Sequence, residues 1–548
     1  MARREPSWLK KAVFYQIYPS SFYDNNGDGI GDLPGIISKL DYLKTLGINA
    51  IWLNPCFKSP FFDGGYDITD YRQVDPRFGT NEDLERLFAE AAAREIKVCL
   101  DLVPGHTSVE HPWFKASSSA EPNKYSNYFI WTDDWLANHG NFPVISGKSN
   151  RNGSYVINFF AIQPALNYGF SKPDKNCPWQ LPVNHPDVLK VREEIKEIMR
   201  FWLARGASGF RVDMAGSLIK NDPDARENRK FWKEIRAEFD REYPDAVLIS
   251  EWGYPQHSLR GGFHCDFLTH CHTPALTTLF RNEPERDIFK AFVKGGWEYT
   301  TEHAIKNFNS YFDASGKGDV RNFFKYYLEA YNTTQHFGYI SIPSGNHDMP
   351  RLCDNRSDAV MTTAFAFLLT MPGVPFIYYG DEIGMRNVKD LVSKEGGYNR
   401  TQARTPMQWD ESVNAGFSTA PPEKIYLPID PDEKRPTVNK SITDPMSLWH
   451  RVKELLKLRY DSPALEADAK LEVLLQDYPL IFLRRKGINC CLVLIQPAAR
   501  QWQGKIKLSK YAKFGRILWQ FGEVNTIEKN GVLIFNGNGA AAAVWQMC

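Results

Sequence analysis

The amino-acid sequence predicts an α/β protein: a (β/α)8 TIM barrel with an inserted domain and a C-terminal antiparallel β-domain. Three observations predict it. Up to about residue 466, short apolar runs alternate with amphipathic runs at helical spacing, the pattern of a parallel sheet wrapped by helices. The 548 residues are too many for one compact core and suit eight βα units with insertions. Beyond about residue 466, helical spacing gives way to short apolar segments separated by turn residues.

The elements follow in order. VFYQIYPSSF (13–22) reads as a first strand and LPGIISKLDYLKTLG (33–47) as the helix after it. INAIWLNP (48–55) is followed by the helical run NEDLERLFAEAAAREI (81–96), and IKVCLDLVPGH (96–106) is the third strand. The run VLKVREEIKEIMRFWLARG (188–206) has apolar residues at helical spacing and leads to GFRVDM (209–214). VLISEW (247–252), HCDFL around Asp266, YISIPSGNHD (339–348) and VPFIYYGDEIG (374–384) supply the remaining strands, HCDFL being the hardest to place. The long apolar stretch 359–379 contains Pro372, Gly373 and Pro375, and so reads as a buried helix and then a strand, not a membrane span. KLEVLL, LIFLRRK, NCCLVLIQ, KIKL, RILWQF and GVLIFN form the β-domain. Two polar segments interrupt the alternation, 107–180 and 385–444. The division implied is 1–106 and 181–466 for the barrel, 107–180 for the insertion and 467–548 for the β-domain. A loop as long as 385–444 is usually functional or packed over a site.

Composition excludes some partners. A net charge of +1, from 66 basic and 65 acidic residues, makes no electrostatic case for nucleic acid or an anionic membrane. The nine cysteines include no CxxC pair, and Cys490 and Cys491 are adjacent, so free thiols in a reducing compartment are expected. The basic start MARREPSWLKK lacks a following apolar stretch, so no signal peptide is read, and a cytoplasmic location is expected. The 15 tryptophans could serve a carbohydrate site, but core packing is the first reading for any one of them.

The chemistry gathers at strand ends. GFRVDMAG (209–216) ends a short apolar strand with Arg211, Val212 and Asp213. Alternation puts Arg211 and Asp213 on one face, and a neighbouring guanidinium keeps a carboxylate ionised, as a nucleophile requires. VLISEW brings Glu251 to the end of another strand, and SGNHDMPR brings His347 and Asp348 to the end of a third. Three strand-end carboxylates and an arginine point to one assembled site; the alternative is a set of buried structural ion pairs. Separately, DNNGDGIGD (24–32) spaces oxygens at Asp24, Asn26, Asp28 and Asp32, like the start of an EF-hand, but position twelve is Gly35 rather than Glu. The alternative there is a metal-free Asx turn.

These segments resemble the conserved regions of the α-amylase superfamily of glycoside hydrolases. DLVPGHTS (101–108), GFRVDMAG, the segment ending in Glu251 and SGNHDMPR resemble its four regions, and GINAIWLNP (47–55) its second barrel strand. ARTPMQWD (403–410) and HDMPR point to the oligo-1,6-glucosidase and α-glucosidase branch. The resemblance runs from about 13 to about 466. It implies that Asp213 is the nucleophile, Glu251 the acid/base and Asp348 a third carboxylate that binds sugar hydroxyls. It implies further that His106 and His347 bond the same sugar, that Tyr66 stacks beneath it, and that Asp63 pairs with Arg404 to close the pocket beyond one glucose. An ordinary salt bridge is the alternative for that pair. Glu251 has no cation adjacent in sequence, so burial is expected to raise its pKa. The insertion 107–180 corresponds to the family's domain B, and the 24–32 loop to a structural Ca²⁺ site with the Ile30 carbonyl as a further ligand.

The sequence also departs from the family. Gly105 stands where the first region has Asn, so the interdomain calcium of related amylases is not expected. Ala165 stands where the branch has Asp, and Met214 where relatives have Val, Ala or Thr. The long interval from Glu251 to Asp348 suggests an extra helix around RNFFKYYLEAYN (321–332). The leading expectation is a retaining, exo-acting α-glucosidase acting on a short oligosaccharide or disaccharide. The alternative is a glucosyl transferase or isomerase of trehalose synthase or sucrose isomerase type. A third reading, a non-catalytic protein like the amino-acid-transporter heavy chains, is disfavoured by the intact carboxylates and the lack of a span.

Overall fold

The computed structural model describes residues 5–132, 142–268, 279–281, 309–395, 400–507 and 514–547. Eight parallel strands form the barrel: β1 Phe14–Ile17, β2 Ala50–Leu53, β3 Lys97–Leu102, β4 Gly209–Val212, β5 Val247–Ser250, β6 Cys265–Phe267, β7 Tyr339–Ser341 and β8 Phe376–Tyr378. They are hydrogen-bonded in the order β7-β6-β5-β4-β3-β2-β1-β8, and a parallel bridge between Pro343 and Phe376 carries the end of β7 to β8. HCDFL is therefore the sixth strand, as read.

Both faces of these strands are covered, which is why they read as continuous apolar runs rather than alternating ones. One face fills the barrel interior with Phe14, Trp52, Cys99, Ile249, Phe267 and Phe376. The other packs on helices such as Pro186–Leu203, which buries Val188, Val191, Ile195, Ile198 and Trp202 along one stripe. Helix starts follow local chemistry. Thr80 and Asp83 form a capping box on Asn81–Ala93, and Ser357 caps the buried helix Asp358–Thr370. Glycine is required at the start of β4. Gly209 has φ +138°, and a Cβ there would stand 2.1 Å from the Val247 carbonyl oxygen.

Helix Arg321–Thr334 forms where the sequence reading put it and leads directly into β7. The stretches 269–278 and 282–308, which lengthen this interval, lie outside the described residues.

Two segments position the site. Between β3 and β4, the hairpin Val144–Ser146/Ser154–Val156 and the bridge His106–Ala165 fold the chain back onto the barrel. The described part of the 385–444 segment is packed on the barrel: Met407 N–H donates to the Ser21 carbonyl at 2.8 Å and the Trp409 indole to the Phe22 carbonyl at 2.8 Å.

The C-terminal domain pairs a five-stranded antiparallel sheet with a three-stranded one, enclosing Leu492, Leu494, Trp502, Leu533, Phe535 and Trp545. Two buried arginines sit where it meets the barrel, Arg459 on the barrel's last helix and Arg484 in the β-domain. Arg459 donates to the Leu369, Met371 and Gly373 carbonyls at 2.6–3.1 Å, and Arg484 to those of Thr370, Glu466 and Ala469. They satisfy carbonyls left open at the end of helix Asp358–Thr370. Arg459→Met should therefore cost about 2 kcal/mol in denaturant unfolding, with kcat of the folded enzyme within twofold or so of the parent. Unchanged stability would show that these carbonyls find other partners.

Candidate active site

Register brings the first cluster together. Asp101 on β3 pairs with Arg211 on β4, and Val212 with Ser250 on β5. Arg211 is buried, and its guanidinium lies 2.9 Å from Asp101 Oδ1, 2.9 Å from Asp213 Oδ1 and 2.8 Å from Glu251 Oε2. It also sits over the Trp52 ring. Asp101 spends its other oxygen on the Tyr66 hydroxyl at 2.8 Å and the Trp52 indole at 3.0 Å. Met214, directly after Asp213, holds φ +44°, and its N–H donates to Glu251 Oε2 at 3.2 Å. A left-handed methionine is strained, and strain of this kind persists where surrounding structure imposes it.

One guanidinium thus serves three carboxylates. Burial pushes the Asp213 carboxyl well above the usual range; Arg211 pulls it down, while Glu251 and Asp101 push it up. Burial likewise raises Asp101 to about 6, against Arg211. The fold adds to two sequence readings. Arg211 does sit beside Asp213, as read, and the fold makes it a shared partner of Asp101 and Glu251 as well. Glu251 does have a cation beside it, delivered by the fold rather than by adjacency.

The second cluster centres on Asp348. Its Oδ1 accepts from Arg400 Nη1 at 2.8 Å and Arg404 Nη2 at 3.0 Å, and its Oδ2 lies 3.2 Å from His347 Nε2. Arg400 Nη2 donates to Asp63, whose other oxygen accepts from Gln163 at 2.6 Å. Arg404 turns instead to Glu395, at 2.9 Å, and to the His347 carbonyl, at 2.8 Å. The expected Asp63–Arg404 pair is therefore corrected: Arg400 is the bonding partner of Asp63. Charges alternate through Asp63, Arg400, Asp348, Arg404 and Glu395, and all but the side chain of Asp348, at 16% exposure, are at least 95% buried.

The histidines and Tyr66 link the clusters. His347 Nδ1 accepts from the Gln16 and Asn54 amides at 2.9 and 3.3 Å, which places its proton on Nε2, facing Asp348. Burial drops its pKa well below the usual histidine range, so the ring is neutral. The Tyr66 ring stacks on it with centroids 5.2 Å apart. His106 faces the Tyr66 carbonyl at 3.1 Å and the Asn158 amide at 3.1 Å, and burial lowers its pKa to about 4.

Sequence reading missed Asp101, Gln163, Glu395 and Arg400 as site residues. Asp101 carried a usable signal, a carboxylate on a strand of the same sheet. Arg400 stands four residues before Arg404 in the same polar segment. Gln163 and Glu395 carried none.

The 24–32 loop is closed by its own hydrogen bonds. Asp24 accepts from Gly27 and Gly29 N–H, Asn26 from Asp28, Asp28 from Ile30, and Asp32 from Gly35. Among the described residues no three acidic, histidine or cysteine side chains converge to hold a metal. An ion there would also draw on Asn26 and the Ile30 carbonyl, an all-oxygen donor set of the kind Ca²⁺ takes.

The alpha amylase catalytic-domain family is matched by residues 16–260 and 288–468. An oligo-1,6-glucosidase from Parageobacillus thermoglucosidasius is 33% identical over 529 residues, covering 87% of this chain and 88% of that protein. The trehalose synthase/amylase TreS of Mycobacterium tuberculosis is 33% identical over 469 residues, covering 78% and 70%. Among solved structures, an isomaltulose synthase variant from Erwinia rhapontici NX5, in complex with its natural substrate sucrose, superposes with a TM-score of 0.78 at 28% identity, covering 99% of each chain.

Proposed function

The chain belongs to the alpha amylase catalytic-domain family of glycoside hydrolases, and within it we propose a retaining, end-acting α-glucosidase for short α-gluco-oligosaccharides. The observation that carries this is the Arg211 guanidinium holding Asp101, Asp213 and Glu251 in one cluster. In the proposed reaction, Asp213 attacks the anomeric carbon while Glu251 gives its proton to the departing glycosidic oxygen. A glucosyl ester forms and the aglycone leaves as an alcohol. Glu251 then takes a proton from water, whose oxygen displaces Asp213, and two inversions give net retention. Asp348, His347 and His106 grip the hydroxyls of the reacting glucose, with Tyr66 beneath it.

End action is supported by the buried Asp63–Arg400–Asp348–Arg404–Glu395 chain. Threading a longer sugar through it would separate desolvated charges, at several kcal/mol. A time course on maltooligosaccharides and isomaltooligosaccharides tests this: glucose or a glucosyl-transfer product should appear first. Early mid-length fragments would sink it.

A second reading, transfer or isomerisation, draws support from the TreS relative and the sucrose-bound neighbour. It uses the same two carboxylates and differs in what attacks the ester. Products from isomaltose, maltose, sucrose and trehalose separate the two. The non-catalytic reading loses ground because all three carboxylates are brought into bonded clusters, and among the described residues no helix is long and apolar enough to cross a membrane. A reducing, cytoplasmic setting is supported by the buried thiols of Cys56, Cys99, Cys353, Cys490 and Cys491.

We also keep Ca²⁺ at Asp24, Asn26, Asp28, Ile30 and Asp32 as a structural proposal. Binding to the native state alone raises stability by mass action. Chelation should lower Tm and leave kcat of the still-folded enzyme nearly unchanged. An unmoved Tm would remove the metal, and lost activity at full foldedness would remove the structural role.

A further inference from the structure

Asp266 is the middle residue of β6 and is completely buried. Its Oδ1 accepts from the Ser250 hydroxyl at 2.6 Å, from the Trp252 N–H at 3.2 Å and from the Gly253 N–H at 3.4 Å. Those three residues flank Glu251 on both sides. The opposite edge of the Glu251 backbone is held by β4 and the turn after it: its N–H donates to the Val212 carbonyl at 2.9 Å, and its carbonyl accepts from Ala215 N–H at 3.1 Å. The turn is tight as well, since a Cβ on Gly216 would stand 2.1 Å from the Trp252 indole nitrogen. Glu251 thus projects from a backbone clamped between two strands. On the β6 side the side-chain part of that clamp is one carboxylate oxygen.

We infer that Asp266 is the positioning residue for Glu251, fixing where its carboxyl meets the glycosidic oxygen. The inference rests on the reading of Glu251 as acid/base. No hydrogen bond among the described residues joins Asp266 to Asp213, which follows β4, so its loss should impair proton delivery selectively. Removing the clamp lets Ser250, Trp252 and Gly253 find other partners, and a sub-ångström shift of the acid is costly only when the leaving group needs its proton.

The test compares kcat/KM for isomaltose, whose alcohol must be protonated, with that for α-glucosyl fluoride, whose fluoride leaves without a proton. Asp266→Ala should lose about 30-fold on isomaltose and less than about threefold on the fluoride. Asp266→Asn keeps an acceptor oxygen in place and should recover most of the isomaltose rate. Equal losses on both donors would overturn the inference, as would an Asn variant no better than Ala. If Asp266→Ala does not fold, Ser250→Ala removes one clamp bond and should show the same donor selectivity at smaller size; its absence would count against the inference equally. Glu251→Gln is measured alongside. If it shows no donor selectivity, the acid/base reading itself has failed. If it does and Asp266→Ala does not, only the positioning role has failed.

Discussion

Asp213→Asn should lower kcat/KM by about 10⁴-fold or more while leaving the protein folded and no less stable than the parent. The activity loss follows because an amide cannot form the glucosyl ester. The stability result follows from the site's electrostatics. Three carboxylates face one guanidinium, and burial holds the Asp213 carboxyl above its unfolded value. A carboxyl raised in this way contributes stability at low pH that is lost as pH rises through the folded value. Removing it should therefore help most at neutral and alkaline pH and least in acid. Melting curves for parent and variant across pH 5–9 check the sign. A variant destabilised at high pH, or one retaining near-normal turnover, would contradict the assignment, as would parent product released with inverted configuration.

What was legible in the sequence was whatever a short window carries. Buried strands announce themselves as apolar runs, so even HCDFL, three residues of strand, was found. The residue pair Arg211 and Asp213 needs only the two-residue period of a strand. What was not legible was pairing across the fold. Asp63 lies far from both Arg400 and Arg404 in sequence, and nothing local says which arginine faces it. The motif ARTPMQWD drew attention to Arg404, but the fold aims that side chain at Asp348, Glu395 and the His347 carbonyl. Glu251 misled for the same reason: its cation comes from β4, not from its own segment. Nor could one strand show that Arg211 serves three carboxylates, since the barrel brings Asp101 from β3 and Glu251 from the end of β5.

The corrected partner yields the second large effect. Arg400→Gln should destabilise the protein by about 3–5 kcal/mol, because Asp63 and Asp348 are left buried with one guanidinium fewer. Asp63 gives the pH sign. Burial already raises its carboxyl, with Arg400 the largest opposing influence and Arg404 next. Without Arg400 the carboxyl rises further, so it takes up a proton on folding. The deficit should then grow as pH rises through the raised value and shrink in acid, where Asp63 is neutral in both states. Pairing is read from double-mutant cycles. Asp63→Asn should couple strongly to Arg400→Gln and weakly to Arg404→Gln, since Arg404 keeps Asp348 and Glu395 in either background. The reverse order would restore the Asp63–Arg404 pair. In activity, Arg400→Gln should raise KM for isomaltose and release longer fragments from isomaltooligosaccharides, because the charge chain that blocks a passing sugar is broken between Asp63 and Asp348. Unchanged end action in a folded Arg400→Gln variant would mean that something other than this chain stops the substrate.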